Sequence, residues 1–259
     1  MQSQPLLTEC VVDAATRQAH IGYAAGLGLP VLKLRHEHRG TVAICGSGPS
    51  LRSQLDVLRA WPGEVWAINN ALDYLMDEGV CVTGFVALDP QDDIADCVAK
   101  RHPNVRYYIS SVCHPKVFQT LTGRDVMVWH ALQHDCQNPP GELQVSGGMF
   151  TSHRAPVIAY VRGFRDIHIF GCDASYDRGS YAWENTDGDG SLCGYSDVIT
   201  VRVNGELYRT SPILMHQAAF FARMVDTFPC PLHFHGEGLT QALVSSPIHS
   251  LPEEGTEAA

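Results

Sequence analysis

The segment Gly46, Ser47, Gly48, Pro49 and Ser50 carries the residue types of this chain that are best suited to binding a phosphate. An apolar run precedes it and a helical pattern of leucines follows it, which predicts a tight turn between a buried strand and a helix. The backbone N–H groups of such a turn and the positive end of the helix dipole attract anions. The segment lacks the lysine of a Walker A loop and the third glycine of a dinucleotide fingerprint. Turns of this composition also occur without a ligand, so its meaning depends on the elements around it.

Small, polar or titratable residues also follow the other predicted strands. They are Asn69, Asn70, Asp89, Ser110, Ser111, His130 and the segment Gly171-Cys172-Asp173. Ligands of doubly wound parallel sheets bind at the carboxyl ends of the strands, so these residues are expected to meet at one edge. Asp89 is interpreted there either as a partner of a ribose hydroxyl or as a Mg²⁺ ligand. Asp92 and Asp93 are expected to cap the next helix.

A second glycine segment, Ser146-Gly147-Gly148, opens another predicted helix. It is a candidate for a second anion site, because successive backbone N–H groups at such a turn form a concave nest. His153 and Arg154 follow one to two turns later. They either add positive charge to that site or form the polar face of the helix.

Two further groups of residues have the character of metal ligands. Asp187 and Asp189 lie in an Asn-Thr-Asp-Gly-Asp-Gly segment that matches the opening half of a calcium loop, although a solvated turn has the same composition. His233 and His235 alternate on one predicted strand, and a His-x-His pair can bind zinc. No cysteine or carboxylate at ligand spacing completes that pair in the sequence, so these histidines are interpreted as surface or core residues.

From residue 41 onward, apolar strand-like runs alternate with amphipathic helical patterns. This alternation predicts a Rossmann-like α/β fold with a doubly wound, mostly parallel sheet. A β-hairpin is expected at 198–210, where Asn204-Gly205 favours a two-residue turn. A helix is expected at 211–228, with Ser211 as its N-cap.

The same patterns divide the chain into three parts. Residues 1–40 are expected to form an N-terminal helix and connector, residues 41–236 the Rossmann-like domain, and residues 237–259 a partly disordered tail. Within the domain, residues 171–197 are rich in Gly, Asp, Ser and Tyr and lack periodicity. A C-terminal lid loop is therefore expected there.

Charge and composition restrict the class of protein. The net charge is −10, which argues against binding nucleic acid through its phosphates. No apolar run approaches the length of a membrane span, and the first residues lack the pattern of a signal peptide. Nine cysteines with no Cys-x-x-Cys pair indicate reduced thiols. We therefore expect a cytoplasmic protein with neither nucleic acid nor membrane as a partner.

Four motifs in order resemble the 6-hydroxymethylpterin diphosphokinase MptE-like superfamily. They are Gly46-Ser-Gly-Pro-Ser-Leu51, Ala67-Ile-Asn-Asn-Ala71, Ser146-Gly-Gly148 and Ile169-Phe-Gly-Cys-Asp173. That superfamily includes the Maf flagellin glycosyltransferases and is similar to bacterial sialyltransferases that use a CMP-activated sugar. Small phage and prophage proteins share the pattern. The resemblance covers residues 40–236 and implies a Rossmann-like fold that binds a nucleotide or nucleotide-activated donor at the glycine turn.

The resemblance also implies roles for individual residues. Ser47 and either Asn69 or Asn70 correspond to positions that contact the nucleotide donor, and Tyr176 and Tyr181 to tyrosines that hold the departing phosphate. The histidine that serves the sialyltransferases as general base has no counterpart between His168 and His216. Asp173, Asp177 or His216 would have to replace it.

Three functions are compatible with these motifs. The leading one is a glycosyltransferase-like transfer from a nucleotide sugar to a hydroxyl acceptor. The second is a Mg²⁺-dependent diphosphokinase that moves diphosphate from ATP to a pterin alcohol, with Asp89, Asp173, Asp187 and Asp189 as candidate metal ligands. The third is a non-catalytic nucleotide-binding module, for example one encoded by a phage. A glycine turn binds phosphate in each case, so it does not discriminate among them.

Overall fold

Alternating strands and helices of the computed structural model build an eight-stranded sheet in which every pair of neighbours is parallel. The structure describes residues 10–36, 39–176, 181–183 and 198–246. The strands are β1 (Arg39–Cys45), β2 (Glu64–Ile68), β3 (Gly84–Ala87), β4 (Arg106–Ser110), β5 (Val126–Ala131), β6 (Gln144–Val145), β7 (Phe164–Phe170) and β10 (Leu232–Phe234). Their order across the sheet is β10-β7-β1-β2-β3-β4-β5-β6. The predicted α/β class and Rossmann-like parallel sheet are therefore confirmed.

Helices cover both faces of the sheet. They are α1 (Ala14–Gly26), α2 (Leu55–Arg59), α3 (Ala71–Asp77), α4 (Pro115–Thr120), α5 (Thr151–Val161), α6 (Pro212–Thr227) and α7 (Leu239–Val244), with 3₁₀ helices at Pro49–Gln54 and Asp92–Val98. Leu58, Leu72 and Phe118 belong to the core on one face, whereas Ile158 belongs to the core on the other. Burial from both sides explains why β2 to β5 are almost continuously buried, whereas β7 and β10, at one side of the sheet, alternate with polar residues.

The chain reverses its direction of progress across the sheet at β1. From β1 the strands follow one another outward to β6, and α5 then returns the chain to β7 on the other side of β1. Right-handed crossovers that progress in opposite directions place their helices on opposite faces. The carboxyl ends of β1 and β7 therefore flank a crevice, which is where ligands bind in sheets of this kind.

The local signals near the C-terminus are confirmed. β8 (Ile199–Val203) and β9 (Glu206–Thr210) form an antiparallel hairpin, and Asn204 and Gly205 at its turn have φ angles of 51° and 86°. The Ser211 hydroxyl accepts a hydrogen bond from the Leu214 N–H at the start of α6. The two-residue strand β6 and the short helix α7 were not predicted, and α7 lies within the segment that was expected to be a tail.

Within the described ranges, every helix is too short or too polar to cross a bilayer. The eight cysteines that the structure describes are all free thiols.

A buried histidine joins α5 to α6. His153 is fully buried among Phe150, Phe220 and Phe221, and its ring stacks on that of Phe220 at a centroid distance of 4.2 Å. Its Nε2 lies 3.1 Å from the carbonyl oxygen of Gln217. Because a carbonyl only accepts, Nε2 carries the proton and donates it. Burial lowers the pKa of His153 to about 3.

This histidine makes the fold sensitive to acid. The unfolded chain protonates His153 below about pH 6.5, but the native state stays neutral until about pH 3. Across this window the unfolded state binds more protons, so the free energy of unfolding decreases as the pH falls, by about 1.4 kcal/mol per pH unit from this residue. We expect urea unfolding of His153→Gln to show a correspondingly weaker pH dependence. His36→Gln, at an exposed position, is the control; equal pH slopes for wild type and His153→Gln would contradict the assignment.

Candidate functional site

A cavity of about 1130 Å³ opens at the carboxyl edge of the sheet, at the crevice between β1 and β7. Of the residues predicted to form the site, it is lined by Gly46, Ser47, Gly48, Asn69, Asp89, Asp173, Tyr176 and Tyr181. These residues follow β1, β2, β3 and β7. The expectation that polar strand ends meet at one edge therefore holds for these four strands.

The glycine turn uses most of its backbone donors within the protein. The N–H groups of Gly46, Gly48 and Ser50 donate hydrogen bonds to the last residue of β7 and to the residues just after it. Their acceptors are the carbonyl oxygens of Phe170 and Gly171 and Oδ2 of Asp173, each at 2.8 Å. The turn is thus bound to the neighbouring strand end, and only part of it can face a ligand.

The two glycines are required by this close approach. A Cβ on Gly46 would lie 2.5 Å from the carbonyl oxygen of Gly171, and one on Gly48 would lie 2.6 Å from Oδ2 of Asp173. Both distances are shorter than a side chain tolerates. The Gly-x-Gly pattern is therefore explained by packing of the two strand ends, whether or not a phosphate binds.

Ser47, between the two glycines, has hydrogen-bond donors that are available to a ligand. Within the described residues, neither its N–H nor its hydroxyl has a hydrogen-bond partner. Pro49 and Ser50 begin the 3₁₀ helix behind the cavity and do not line it. Ser47 is thus the residue of the turn whose donors can reach a ligand.

The carboxylate of Asp173 accepts hydrogen bonds from Ser50 and Gln241. Its Oδ2 accepts the Ser50 N–H, and its Oδ1 accepts the Ser50 hydroxyl at 2.5 Å and the Gln241 amide at 3.3 Å. Only 3% of the residue is exposed. The carboxylate acts as a cap for the 3₁₀ helix and places negative charge at its N-terminus, which the dipole favours. This predicted catalytic residue therefore lines the cavity, and both of its carboxylate oxygens already accept hydrogen bonds from the protein.

Asn69 is the strained residue of the cavity wall. Its φ of 47° is in the left-handed region, which asparagine tolerates better than most residues. Its Oδ1 is buried and has no hydrogen-bond partner among the described residues. Asn70 is exposed, accepts a hydrogen bond from the Cys97 thiol and does not line the cavity. Of the two asparagines, the structure thus brings Asn69 to the site.

Asp89 supplies a carboxylate with an available oxygen. Its Oδ1 accepts the Gln91 N–H at 3.1 Å, and its Oδ2 has no partner in the described part of the chain. Burial raises the pKa of Asp89, and the nearby charge of Asp93 adds to this effect. A carboxyl with a raised pKa is better suited to accept a proton near neutral pH than an ordinary one.

Arg154 brings positive charge to the cavity wall. It is 6% exposed, and its guanidinium donates to the carbonyl oxygens of Gly148 (2.7 Å), Leu132 (3.3 Å) and Val145. Burial lowers its pKa to about 10, so it remains protonated at neutral pH. No carboxylate of the described residues forms an ion pair with it. The sequence indicated only that this arginine adds charge or lies on a polar helix face.

The segment Ser146-Gly147-Gly148, predicted to be an anion nest, does not line the cavity. It folds around Arg154 instead. Gly147 has a φ of 133°, and a Cβ there would lie 3.1 Å from Cδ of Arg154. Gly147 therefore leaves space for the side chain of Arg154, and the carbonyl oxygen of Gly148 accepts its hydrogen bond.

A second arginine on the cavity wall has its charge paired. Arg17 forms an ion pair with Asp135 and donates to the side chain of Gln133 at 2.8 Å. The guanidinium in turn lowers the pKa of Asp135. These contacts attach α1 to the segment after β5 at the cavity wall.

The remaining predicted residues have different outcomes. Tyr181 stacks on Trp183 with a ring-centroid distance of 4.8 Å. His216 lies exposed on α6 and does not line the cavity. Asp177, Asp187 and Asp189 lie outside the described residues.

The family model for 6-hydroxymethylpterin diphosphokinase MptE-like proteins matches residues 27–179, which is more than half of the chain. The chain belongs to the MptE-like family. The matched residues include β1 to β7 and the glycine turn, so the MptE-like assignment covers most of the cavity wall. No curated protein matches the chain. The family membership supports a transferase as the class of this protein.

A solved structure with the same fold is the Maf glycosyltransferase from Magnetospirillum magneticum AMB-1. It superimposes on the present chain with a TM-score of 0.65 at 15% sequence identity, and the match covers 85% of the present chain. The match covers 36% of that protein, so the present chain spans about a third of its length. At this identity the likeness shows the fold. The resemblance drawn from the strand-end motifs is confirmed for family and fold.

The packing role of the glycine turn leads to a stability prediction. Gly48→Ala would force the new Cβ against Asp173 and Gly171, so we expect the free energy of unfolding to fall by about 1–3 kcal/mol, as for other overpacked sites. Gly40→Ala is the matched control, since a Cβ there meets no atom within 4 Å. Denaturant unfolding measures both. A loss in Gly48→Ala no larger than in Gly40→Ala would refute the packing role.

Proposed function

We propose that this chain is a transferase that binds a nucleotide-bearing donor in the cavity and transfers a group from it to a hydroxyl acceptor. The observation that carries the proposal is Asn69, a cavity-lining non-glycine residue in the left-handed region, whose Oδ1 is buried and has no hydrogen-bond partner within the described structure. Strained residues concentrate at ligand sites, and a buried acceptor without a donor is costly until a ligand supplies one.

The cavity wall offers both acceptors and donors. The amide of Asn69 can pair with a sugar hydroxyl or a base amino group of the donor. Oδ2 of Asp89 can accept the hydroxyl of the acceptor molecule. Ser47 and the guanidinium of Arg154 offer donors and positive charge, which suit a phosphate. A nucleotide presents both kinds of group in one molecule.

The leading reaction is glycosyl transfer from a nucleotide sugar. In that reaction a hydroxyl oxygen of the acceptor forms a bond to the anomeric carbon, the bond to the nucleotide phosphate breaks, and the hydroxyl proton goes to a base. Asp89 is the base that the hydrogen bonds favour, because Asp173 is already held by Ser50 and Gln241. Arg154 and Ser47 would stabilise the departing phosphate, assisted by Tyr176 and Tyr181 on the same wall.

The second candidate is transfer of diphosphate from ATP to a pterin alcohol, favoured by the family to which the chain belongs. Mg²⁺ in such sites is held by one or two carboxylates and by the phosphates, whose charge it neutralises. Asp89, with an oxygen that has no partner in the described structure, fits that role. Release of AMP from ATP on addition of 6-hydroxymethylpterin identifies this reaction, whereas release of a free nucleotide from a nucleotide sugar identifies the first.

The donor site is tested by calorimetry with CMP, UDP, GDP and ATP. We expect at least one to bind, and Asn69→Gly to weaken it by about 5- to 150-fold, equivalent to the 1–3 kcal/mol cost of a lost partner for a buried polar group. Glycine keeps the left-handed backbone available, so the fold is preserved. Asn204→Gly makes the same change at the hairpin turn and is expected to bind like wild type.

Ser47→Trp, which fills the turn, is the blocked reference in the same titrations. Failure of all four nucleotides to bind wild type would rule out a nucleotide donor. Binding that is equal in wild type and Asn69→Gly would remove Asn69 from the site.

Turnover and stability measurements distinguish the expected roles of Asp89 and Asp173. We expect Asp89→Asn to reduce turnover by about 10²- to 10⁴-fold while nucleotide affinity changes little, because the amide keeps the shape but cannot take the proton. Asp173→Asn is expected to lower the free energy of unfolding by about 1.5–3 kcal/mol, through its hydrogen bonds to Ser50. Full turnover in Asp89→Asn would exclude it as the base. Nucleotide binding by wild type without turnover of any donor would indicate the non-catalytic module.

A further inference from the structure

One carboxylate and three imidazoles cluster on the sheet outside the cavity. Asp166 and His168 alternate along β7, and His233 and His235 lie in and just after β10. Because β10 pairs with β7 in parallel, with His233 opposite His168, the four side chains project from one face. None of them lines the cavity. The sequence had shown the His-x-His pair, but β7 supplies the carboxylate that was missing.

Three of these side chains bring their ligand atoms close together. Oδ1 of Asp166 lies 3.1 Å from Nε2 of His168 and 3.2 Å from Nε2 of His233, and all three atoms lie within 4.8 Å of one another. Ligand atoms bound tetrahedrally to one Zn²⁺ at about 2.0–2.1 Å are separated by about 3.3–3.4 Å. The two distances from Oδ1 of Asp166 are close to this spacing, and a small movement of the His233 ring would bring the third ligand atom to it.

We propose that Asp166, His168 and His233 bind a divalent transition-metal ion of the Zn²⁺ type, with water as the remaining ligand. Two imidazole nitrogens and one carboxylate oxygen form a common donor set for zinc. The side chains of Asp166 and His233 are 54% and 46% exposed, which provides a path for the ion and space for the water.

The surroundings orient His168 for this role. Its ring packs edge-on against Trp61 at 4.7 Å, and its Nδ1 lies 2.9 Å from Nε2 of His235. When Nε2 of His168 coordinates the metal, its Nδ1 carries the proton and donates it to His235. A metal-bound histidine typically donates its second ring N–H in this way. His235 is thus the positioning residue for His168.

His233 is the adaptable ligand. Its ring stacks on His168 at 4.5 Å with an interplanar angle of 22°. Nearly parallel rings do not point at a common centre, so coordination requires the exposed ring of His233 to turn toward the ion. Strand β10 has three residues and pairs only with β7 in the described sheet. The bound ion would fasten this edge strand to its neighbour.

The experiment is metal binding by the complete chain after removal of metal with EDTA. We expect one equivalent of Zn²⁺ per chain, and with Co²⁺ the visible absorption of a site with nitrogen and oxygen ligands. Asp166→Asn and His233→Ala are expected to lose more than about 100-fold in affinity, and His235→Phe, which keeps the stacking on Phe170, about 10- to 100-fold.

His36→Ala removes an exposed histidine elsewhere and is the matched control for adventitious binding. Circular dichroism of each variant checks folding, and Asp166→Asn changes a half-exposed residue without changing its size. Absence of a stoichiometric Zn²⁺ site in the wild-type chain would overturn the proposal. So would equal affinities of wild type, Asp166→Asn and His233→Ala. Neither result depends on whether the cavity binds a nucleotide.

Discussion

The hydrogen bonds between the end of β1 and the end of β7 determine the shape of the candidate site. The sheet changes direction between these two strands, so the chain leaves them toward opposite sides. The carboxylate of Asp173 closes the gap by capping the 3₁₀ helix that follows the glycine turn. Gln241 of α7 donates to the same carboxylate, which ties the distant end of the chain to the turn. These contacts set the positions of the two strand ends in the cavity wall.

The attraction of the cavity for an anion depends on whether its arginines are paired with carboxylates. The chain carries a net charge of −10, but the guanidinium of Arg154 is balanced by carbonyl oxygens and by no carboxylate of the described residues. Burying such a charge is costly, and an anionic ligand would offset that cost. Arg17, which is paired with Asp135, offers no comparable attraction. The phosphate of the proposed donor would accordingly bind near Arg154 and Ser47.

Neighbouring residues of the same type show where sequence reasoning reached its limit. Asn69 and Asn70 were equivalent candidates, but Asn69 lines the cavity, whereas Asn70 contacts Cys97 and does not. His216 was a candidate base because it is the next histidine along the chain. On the folded helix α6 it is exposed and outside the cavity wall. Order along the chain does not determine which face of a helix a residue occupies relative to a distant site.

The sequence alone determined the parallel α/β sheet, the Asn204-Gly205 hairpin, the Ser211 cap and the family, because periodicity, turn chemistry and ordered motifs are local properties. Only the tertiary structure decided that three N–H groups of the glycine turn are already used, that Arg154 lies on the cavity wall, and that Asp166 meets His233. Each of these depends on strand pairing and packing between segments far apart in the chain. Local patterns carry no information about such pairings.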